Sequence, residues 1–353
     1  MSRTIFLLLL FLAGADVARP QTANGSYQKA IYQHQRGRAQ EAVTALREAV
    51  NLDPTFAQGF NGLCVVYEEL KRYPEAIDSC TRALALQPRD YRTLYNLAFV
   101  YSETKQTAES IAVAQETIEI KPDFAPARYL LALMYVDSKR FTSAIDALQF
   151  TIALVPNYGD AYNELGVVYC HLKRYDEAIR AFISGLRCEP NQPNYLANLG
   201  TAYYLAGRYD EAVAVLEQAV KTSPASAVAQ NNLGQAYLRV GRYDVAVECL
   251  VSGQRMSSPG DGIDGPEIEN NLGFAYAQLK RYREALDHLA RAVELRPQFA
   301  IAIFNLGLVR LATNDRGAAL EQYGTLKRLD ENLAGRLFAR IYQGRVVTAP
   351  AER

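Results

Sequence analysis

Apolar residues recur at fixed positions along almost the whole chain, in a pattern that repeats every 34 residues. Six prolines set the frame at intervals of 34: Pro54, Pro88, Pro122, Pro156, Pro190 and Pro224. With each proline at position 32, apolar residues at positions 4, 7, 8 and 11 form one helical stripe, and those at 20, 24 and 27 form another. Each repeat is therefore predicted to form two amphipathic helices, and the period is typical of a helical repeat array.

Two columns of this frame hold small residues. Position 8 holds Ala30, Cys64, Ala98, Ala132, Gly166, Gly200, Gly234, Gly273 and Gly307, and position 20 holds Ala42, Ala76, Ser110, Ala144, Ala178, Ala212, Ala246, Ala285 and Ala319. Small side chains there let the two helix backbones approach closely, while large residues at positions 7, 11 and 24 fill the surrounding space. The proline at position 32 disfavours helical geometry in the residue before it, so the second helix is expected to end there.

Nine repeats fit this frame. They run at about 23–56, 57–90, 91–124, 125–158, 159–192, 193–226, 227–265, 266–299 and 300–331. We assign 16–25 to an N-terminal linker, 26–331 to the array and 332–353 to a capping helix and tail. In the seventh repeat Ser258 replaces the proline and the segment Ser257 to Gly265 adds five residues, which predicts a loop that locally disturbs the regular stacking.

Leucine at position 7, from Leu63 to Leu306, and tyrosine at position 11 complete the pattern. The tyrosines are Tyr67, Tyr101, Tyr135, Tyr169, Tyr203, Tyr237 and Tyr276. With the small columns, this resembles the tetratricopeptide repeat over nearly the whole mature chain. The resemblance implies an all-α fold, a right-handed superhelical α-solenoid of about nine helical hairpins with a C-terminal capping helix. It also implies a concave face lined by positions 2, 5, 6, 9, 12 and 13 of the first helices.

The N-terminus has the features of a secretory signal peptide. A basic start at Arg3 precedes an apolar run from Ile5 to Ala13, and Ala13-Gly14-Ala15 forms an A-x-A cleavage site. The alternative is a membrane anchor, but the run is about half of the roughly 20 apolar residues that a span needs. We therefore expect a signal peptide over 1–15 and a periplasmic or extracellular location, with a bacterial source preferred.

The chain has five cysteines, Cys64, Cys80, Cys170, Cys188 and Cys249. Cys64 and Cys80 fall at facing core positions of one hairpin, so a disulfide between them is geometrically conceivable. The alternative that we favour is that both are small buried hydrophobes.

Composition argues against catalysis and against nucleic acid as a partner. Lysine plus arginine and aspartate plus glutamate both total 38, so no net positive charge is available to neutralise a phosphate backbone. His34, His171 and His288 occupy different frame positions, and no nucleophile, phosphate-loop or metal signature occurs. We expect no enzymatic activity, no cofactor and no metal.

The candidate binding residues come from the columns assigned to the concave face. Position 6 supplies Asn96, Asn198, Asn232, Asn271 and Asn305, position 5 supplies Asn61, Asn163, Asn231 and Asn270, and the aromatic candidates are Tyr95, Phe99, Tyr129, Tyr204 and Phe274. An asparagine row can donate to and accept from the backbone of an extended peptide without reading its sequence. Alternatively, the asparagines bond only locally and some of the aromatic residues pack under the superhelix.

These features predict an exported scaffold or adaptor that binds a protein or peptide segment in its concave groove. A second hypothesis is a non-catalytic subunit that recruits substrates for a glycosyltransferase or for a cell-envelope assembly system. The groove columns 2, 5 and 6 hold only one arginine, Arg92, so a Lys/Arg clamp for a terminal carboxylate is not predicted.

Overall fold

The computed structural model describes residues 22–257 and 265–342, and every regular element within these ranges is an α-helix. The first helices of the successive hairpins are α1 (Ala23–Gln35), α3 (Ala57–Glu69), α5 (Tyr91–Glu103), α7 (Ala125–Asp137), α9 (Gly159–His171), α11 (Pro193–Leu205), α13 (Ala227–Arg239), α15 (Gly265–Gln278) and α17 (Ala300–Ala312). The second helices are α2 (Ala39–Leu52), α4 (Tyr73–Leu86), α6 (Thr107–Ile120), α8 (Phe141–Leu154), α10 (Tyr175–Cys188), α12 (Tyr209–Thr222), α14 (Tyr243–Met256), α16 (Tyr282–Leu295) and α18 (Arg316–Leu329). The final helix is α19 (Glu331–Ile341).

The chain divides into two compact units, Met1–Leu172 with α1 to α9 and Lys173–Arg353 with α10 to α19. Within each unit, the two helices of a complete hairpin pack together, and each second helix packs on the first helix of the next hairpin. The second unit ends in α19, which covers α17 and α18 with its buried residues Ala334, Leu337 and Ile341. This stacking confirms the predicted fold class, an all-α solenoid of helical hairpins with a C-terminal capping helix.

In the sixth, seventh and eighth repeats the two helices of the hairpin meet at a close contact between frame positions 8 and 24. A Cβ atom added to Gly200 would lie 2.4 Å from Cγ of the fully buried Leu216, and one added to Gly273 would lie 2.5 Å from Cγ of Leu289. Carbon atoms in favourable contact are about 3.5–4.0 Å apart, so no side chain fits at either glycine without displacing the leucine. The small column therefore sets how closely the two helices approach.

In the second repeat the same contact is covalent. Cys64 at position 8 and Cys80 at position 24 form a disulfide, with their Cα atoms 5.2 Å apart and both side chains buried. The preference for two separate buried thiols is therefore wrong. Its physical reason is that the close hairpin contact brings the two Cα atoms within the span of about 4.4–6.8 Å that a disulfide bridges.

The hairpin turn uses a left-handed residue at frame position 15 in every repeat. At Gly37, Gly207 and Gly241 the φ angles are 72°, 77° and 80°. The other six residues, with φ between 58° and 61°, are Lys71, Lys105, Lys139, Lys173, Lys280 and Asn314. This conformation ends the first helix, because the next N–H can return to a carbonyl of the last turn, as Arg72 does to Tyr67 at 2.8 Å. The Arg72 guanidinium also stacks over the Tyr67 ring at 4.6 Å, which gives the position 11 tyrosines a structural role.

Several expectations concern residues outside the described ranges. These are the signal peptide over 1–15, the linker residues 16–21, the inserted residues 258–264 and the tail over 346–353. In the part of the chain that is described, no helix has the length and apolar character needed to cross a bilayer.

Replacing Gly200 with valine should destabilise the second unit by about 1–3 kcal/mol, because the added side chain collides with Leu216. The measurement is urea unfolding followed by circular dichroism at 222 nm. Gly324→Val is the matched control, since an added Cβ at this helical glycine meets no atom within 4 Å. Equal stability of the two variants would contradict the proposed role of the contact.

Under non-reducing denaturing conditions, a thiol reagent should modify three of the five cysteines, because Cys170, Cys188 and Cys249 carry thiols outside the disulfide. Reduction should expose all five and lower the free energy of unfolding by about 3 kcal/mol for a loop of this length. Cys188→Ala controls for loss of a thiol without loss of a bond. Modification of five thiols before reduction would show that the disulfide is absent.

Candidate functional site

The first helices form the inner face of each unit. Consecutive first helices of one unit approach each other, as α3 and α5 do and as α11 and α13 do, whereas the described residues show no contact between successive second helices. In a curved stack, the helices that lie closer together are on the shorter side. We call positions 2, 5, 6, 9, 12 and 13 of the first helices the inner face.

The asparagines of the inner face bond to one another across repeats. Asn96 at position 6 donates from Nδ2 to Oδ1 of Asn61 at position 5 of the preceding repeat, at 2.8 Å. Asn305 donates to Asn270 in the same way at 2.9 Å. The two acceptors are buried and the two donors half-buried. Position 5 thus belongs mainly to the packing between repeats, while position 6 keeps part of its amide at the surface.

We call each such asparagine–asparagine hydrogen bond between adjacent repeats a rung. The rung between Asn231 and the following repeat is missing. Asn231 Oδ1 is buried without a hydrogen-bond partner, while Asn271 accepts a long 3.5 Å bond from its neighbour Asn270. Asn232 donates instead to Thr201 Oγ1 of the preceding repeat at 3.1 Å. The interrupted rung lies between the seventh repeat, whose sequence carries five additional residues, and the eighth repeat.

The remaining two asparagines follow the same division between columns. Asn163 at position 5 is buried, and Asn198 at position 6 is half-buried. The position 6 amides of Asn198, Asn232 and Asn271 therefore all keep exposed surface in the second unit.

Two of the aromatic candidates lie in the packing between repeats. Tyr95 packs edge-on against Phe124 at 5.3 Å, and Tyr129 packs against Tyr158 at 4.9 Å. Burial raises the pKa of the Tyr95 hydroxyl well above its usual value. Phe99 is half-buried beside Tyr95. Tyr95 and Tyr129 therefore serve the core rather than offer their rings to a partner.

A pattern in the sequence indicates that the rings of Tyr95 and Tyr129 are packed between repeats. Repeats with tyrosine at position 5 also carry an aromatic residue at position 34, as Tyr27 does with Phe56, whose ring centroids lie 5.4 Å apart. The second repeat, with Asn61 at position 5, has Asp90 at position 34. Pairing columns 5 and 34 would have separated buried rings from surface rings.

The other two aromatic candidates, Tyr204 and Phe274, line one cleft of about 440 Å³ on the inner face of the second unit. The full lining is Tyr204, Tyr209, Gln235, Leu238, Arg239, Asn271 and Phe274. The Arg239 guanidinium lies over the Tyr209 ring at 4.7 Å and donates from Nη2 to the Tyr209 hydroxyl at 2.5 Å. The Tyr204 and Tyr209 rings meet edge to face, with centroids 5.5 Å apart. The cleft thus combines aromatic walls, two amides and one cation.

The inner faces of the two units differ in charge. In the first unit this face carries the carboxylates Glu68, Glu69, Glu103, Asp137, Asp160 and Glu164, one arginine, Arg92, and the histidines His34 and His171. Burial raises the pKa of Glu164, and the carboxylate of Asp160 raises it further. Along α11, α13, α15 and α17 of the second unit, only Arg239 and Glu267 are charged on this face. No group of three or more metal-ligating side chains occurs within the described ranges.

Comparison with known proteins agrees with this architecture. Models of the tetratricopeptide repeat match residues 27–91, 69–134, 157–224, 203–255 and 266–299. No curated protein sequence matches the chain significantly.

Many solved structures have a similar fold. A chain of the APC/C hetero-tetramer Cut9-Hcn1 is 15% identical, with a TM-score of 0.58 over 91% of this chain and 76% of that one. A tetratricopeptide repeat protein from Parabacteroides merdae is 18% identical, with a TM-score of 0.56 over 72% and 99%. PilW, a type IV pilus biogenesis factor, is 20% identical, with a TM-score of 0.55 over 59% and 96%. At these identities the likeness shows the fold alone.

Replacing Asn61 with alanine should destabilise the protein more than replacing Asn231 with alanine, by about 1 kcal/mol. Both asparagines are 8% exposed and both occupy position 5, but only Asn61 Oδ1 accepts a bond from the next repeat. Thermal unfolding and amide hydrogen exchange of the first helices would measure the difference. Equal effects would show that the inter-repeat rung contributes nothing.

Proposed function

Because the chain belongs to the tetratricopeptide repeat family, we propose that it is an exported scaffold or adaptor that binds an extended segment of another protein along its inner face. This proposal rests mainly on the exposed apolar side chains on the inner face of the second unit. There, three large apolar side chains at inner-face positions stay exposed: Leu205 at 46%, Val228 at 39% and Ile301 at 53%. These side chains offer apolar contact to a partner on the face that also carries the cleft beside Tyr204 and Phe274.

The half-buried amides of position 6 run along the same face and suit a polypeptide backbone. An asparagine side chain offers both donors and an acceptor, so it can bond to the N–H and C=O groups of an extended chain. The near absence of charge on this face avoids the desolvation cost that charged groups would add on binding. Apolar contacts together with amide bonds favour a polypeptide segment over a phosphate-rich ligand.

Export is supported by two independent features. The first is the basic start, apolar run and A-x-A site at the N-terminus, which fit a leader cleaved after Ala15. The second is the disulfide between Cys64 and Cys80, because such bonds persist in oxidising compartments such as the bacterial periplasm or the exterior. We therefore propose a periplasmic or extracellular location for the mature protein.

The test is affinity purification from the native cell envelope with Asn198, Asn232 and Asn271 all changed to alanine. These amides are half-buried on the inner face, so the variant should fold as the wild type does but recover at least tenfold less of its main partner. The N-terminal sequence of the purified wild-type protein should begin at Asp16.

The control variant carries Gln40→Ala, Asn51→Ala and Gln218→Ala, which remove three exposed amides from second helices. Unchanged partner recovery by the inner-face variant, with folding intact, would refute binding through the asparagine row. A glycosyltransferase or an envelope-assembly enzyme among the partners would favour the narrower role of a substrate-recruiting subunit.

A further inference from the structure

We propose that Arg239 and the aromatic rings beside it form a subsite for one acidic side chain, an aspartate or glutamate within the bound segment. The proposal rests on the proposed function, and it adds a requirement on the sequence of the partner. Asparagine rows and apolar contacts alone would accept many segments. A cation on a face with few other charges would select those with a carboxylate at one place.

The charges on the inner face of the second unit favour a carboxylate beside Arg239. Of the two charged residues on the inner face of α11, α13, α15 and α17, Glu267 already has a partner, because Arg296 lies 3.7 Å from its carboxylate. Arg239 makes no ion pair with any carboxylate in the described part of the second unit. An exposed cation still gains from an opposite charge through charge-assisted hydrogen bonds, so a carboxylate complements Arg239 better than any other common side chain.

The side chain of Arg239 is held in place by Tyr209 before any ligand binds. The guanidinium of Arg239 stacks over the ring of Tyr209 and donates one N–H group to the Tyr209 hydroxyl. A guanidinium has five N–H donors in a rigid fork, and one bond to a hydroxyl leaves the others for a carboxylate in bidentate geometry. Because the stacking already limits the rotamers of Arg239, binding a carboxylate costs less conformational entropy than it would at an unrestrained arginine.

The other residues of the cleft provide both apolar and polar surface. Leu238 and Phe274 supply apolar wall, while Gln235 and Asn271 supply amides. A cleft of about 440 Å³ is large enough to bury more than a carboxylate alone. The lining therefore fits an acidic residue next to an apolar one, with the peptide bond between them near the two amides.

The position of Arg239 within the row of binding residues favours a side-chain carboxylate over the carboxylate of a chain terminus. Binding groups continue on both sides of Arg239, with Asn198 and Leu205 on α11 and Ile301 and Asn305 on α17. A segment that uses both sets passes through the cleft and does not end there. The subsite also coincides with the interrupted rung, since Asn271 lines the cleft and leaves Asn231 Oδ1 unpaired.

The test begins with phage-displayed random 12-residue peptides selected on the wild-type mature protein. We expect the selected peptides to share an aspartate or glutamate next to an apolar residue. One selected peptide and its neutral version, with Asp→Asn or Glu→Gln, are then measured by fluorescence polarisation against wild type, Arg239→Gln and Arg239→Lys. For the acidic peptide, Arg239→Gln should weaken binding at least tenfold and Arg239→Lys less. For the neutral peptide, neither change should matter.

The control is Arg328→Gln, which removes the same charge from an exposed arginine of the second helix α18, outside the inner face. It should bind the acidic peptide as wild type does. A peptide with an amidated C-terminus should also bind equally, and loss of its binding would overturn the assignment to a side chain.

Two further outcomes separate this proposal from the groove itself. If selected peptides lack acidic residues, or bind Arg239→Gln as well as wild type, yet lose affinity for the triple variant of Asn198, Asn232 and Asn271, the subsite is refuted and groove binding stands. If no peptide binds the inner face at all, both proposals fail. Circular dichroism of each variant shows that any loss of binding does not come from unfolding.

Discussion

The contact between frame positions 8 and 24 is the constraint on which the rest of the structure depends. In the sixth, seventh and eighth repeats a glycine on the first helix admits a leucine from the second, and in the second repeat a disulfide joins the same two positions, so this contact sets the spacing of the hairpin. Once the hairpin is set, the tyrosine at position 11 and the arginine after the turn take fixed places, and the next repeat stacks on the second helix. The residues of the inner face project from first helices whose position is already determined by this contact.

The helices and their pairing could be predicted because each repeat packs its two helices through residues at the same frame positions. A residue type that must recur for steric reasons leaves a column in the sequence. The disulfide could not be deduced by that route, because small residues at positions 8 and 24 are compatible with more than one chemistry. Ala98 and Ala114 occupy these positions in the third repeat and are simply buried, whereas Cys64 and Cys80 in the second repeat are joined.

The candidate site was only partly accessible to the same reasoning. Columns identify the inner face, but they do not show which of its members a neighbouring repeat covers, so Tyr95 and Tyr129 were grouped with Tyr204 although their rings are buried. Arg239 was missed for a different reason. Its column holds glutamate or aspartate in repeats two to four, and its proposed role depends on the scarcity of other charges near it in three dimensions. Tyr209 lies on the second helix α12, outside the columns that form the inner face.

The break in the asparagine rows has a consequence for the cohesion of the second unit. Paired asparagines of adjacent repeats are separated by 35 residues in the sequence, as from Asn61 to Asn96 and from Asn270 to Asn305, but Asn231 and Asn271 are separated by 40. The helices α13 and α15 still contact each other there, so packing without an amide bond joins these two repeats on the inner face. Because each repeat of a solenoid is stabilised by its neighbours, local opening of the second unit is expected to begin between its seventh and eighth repeats.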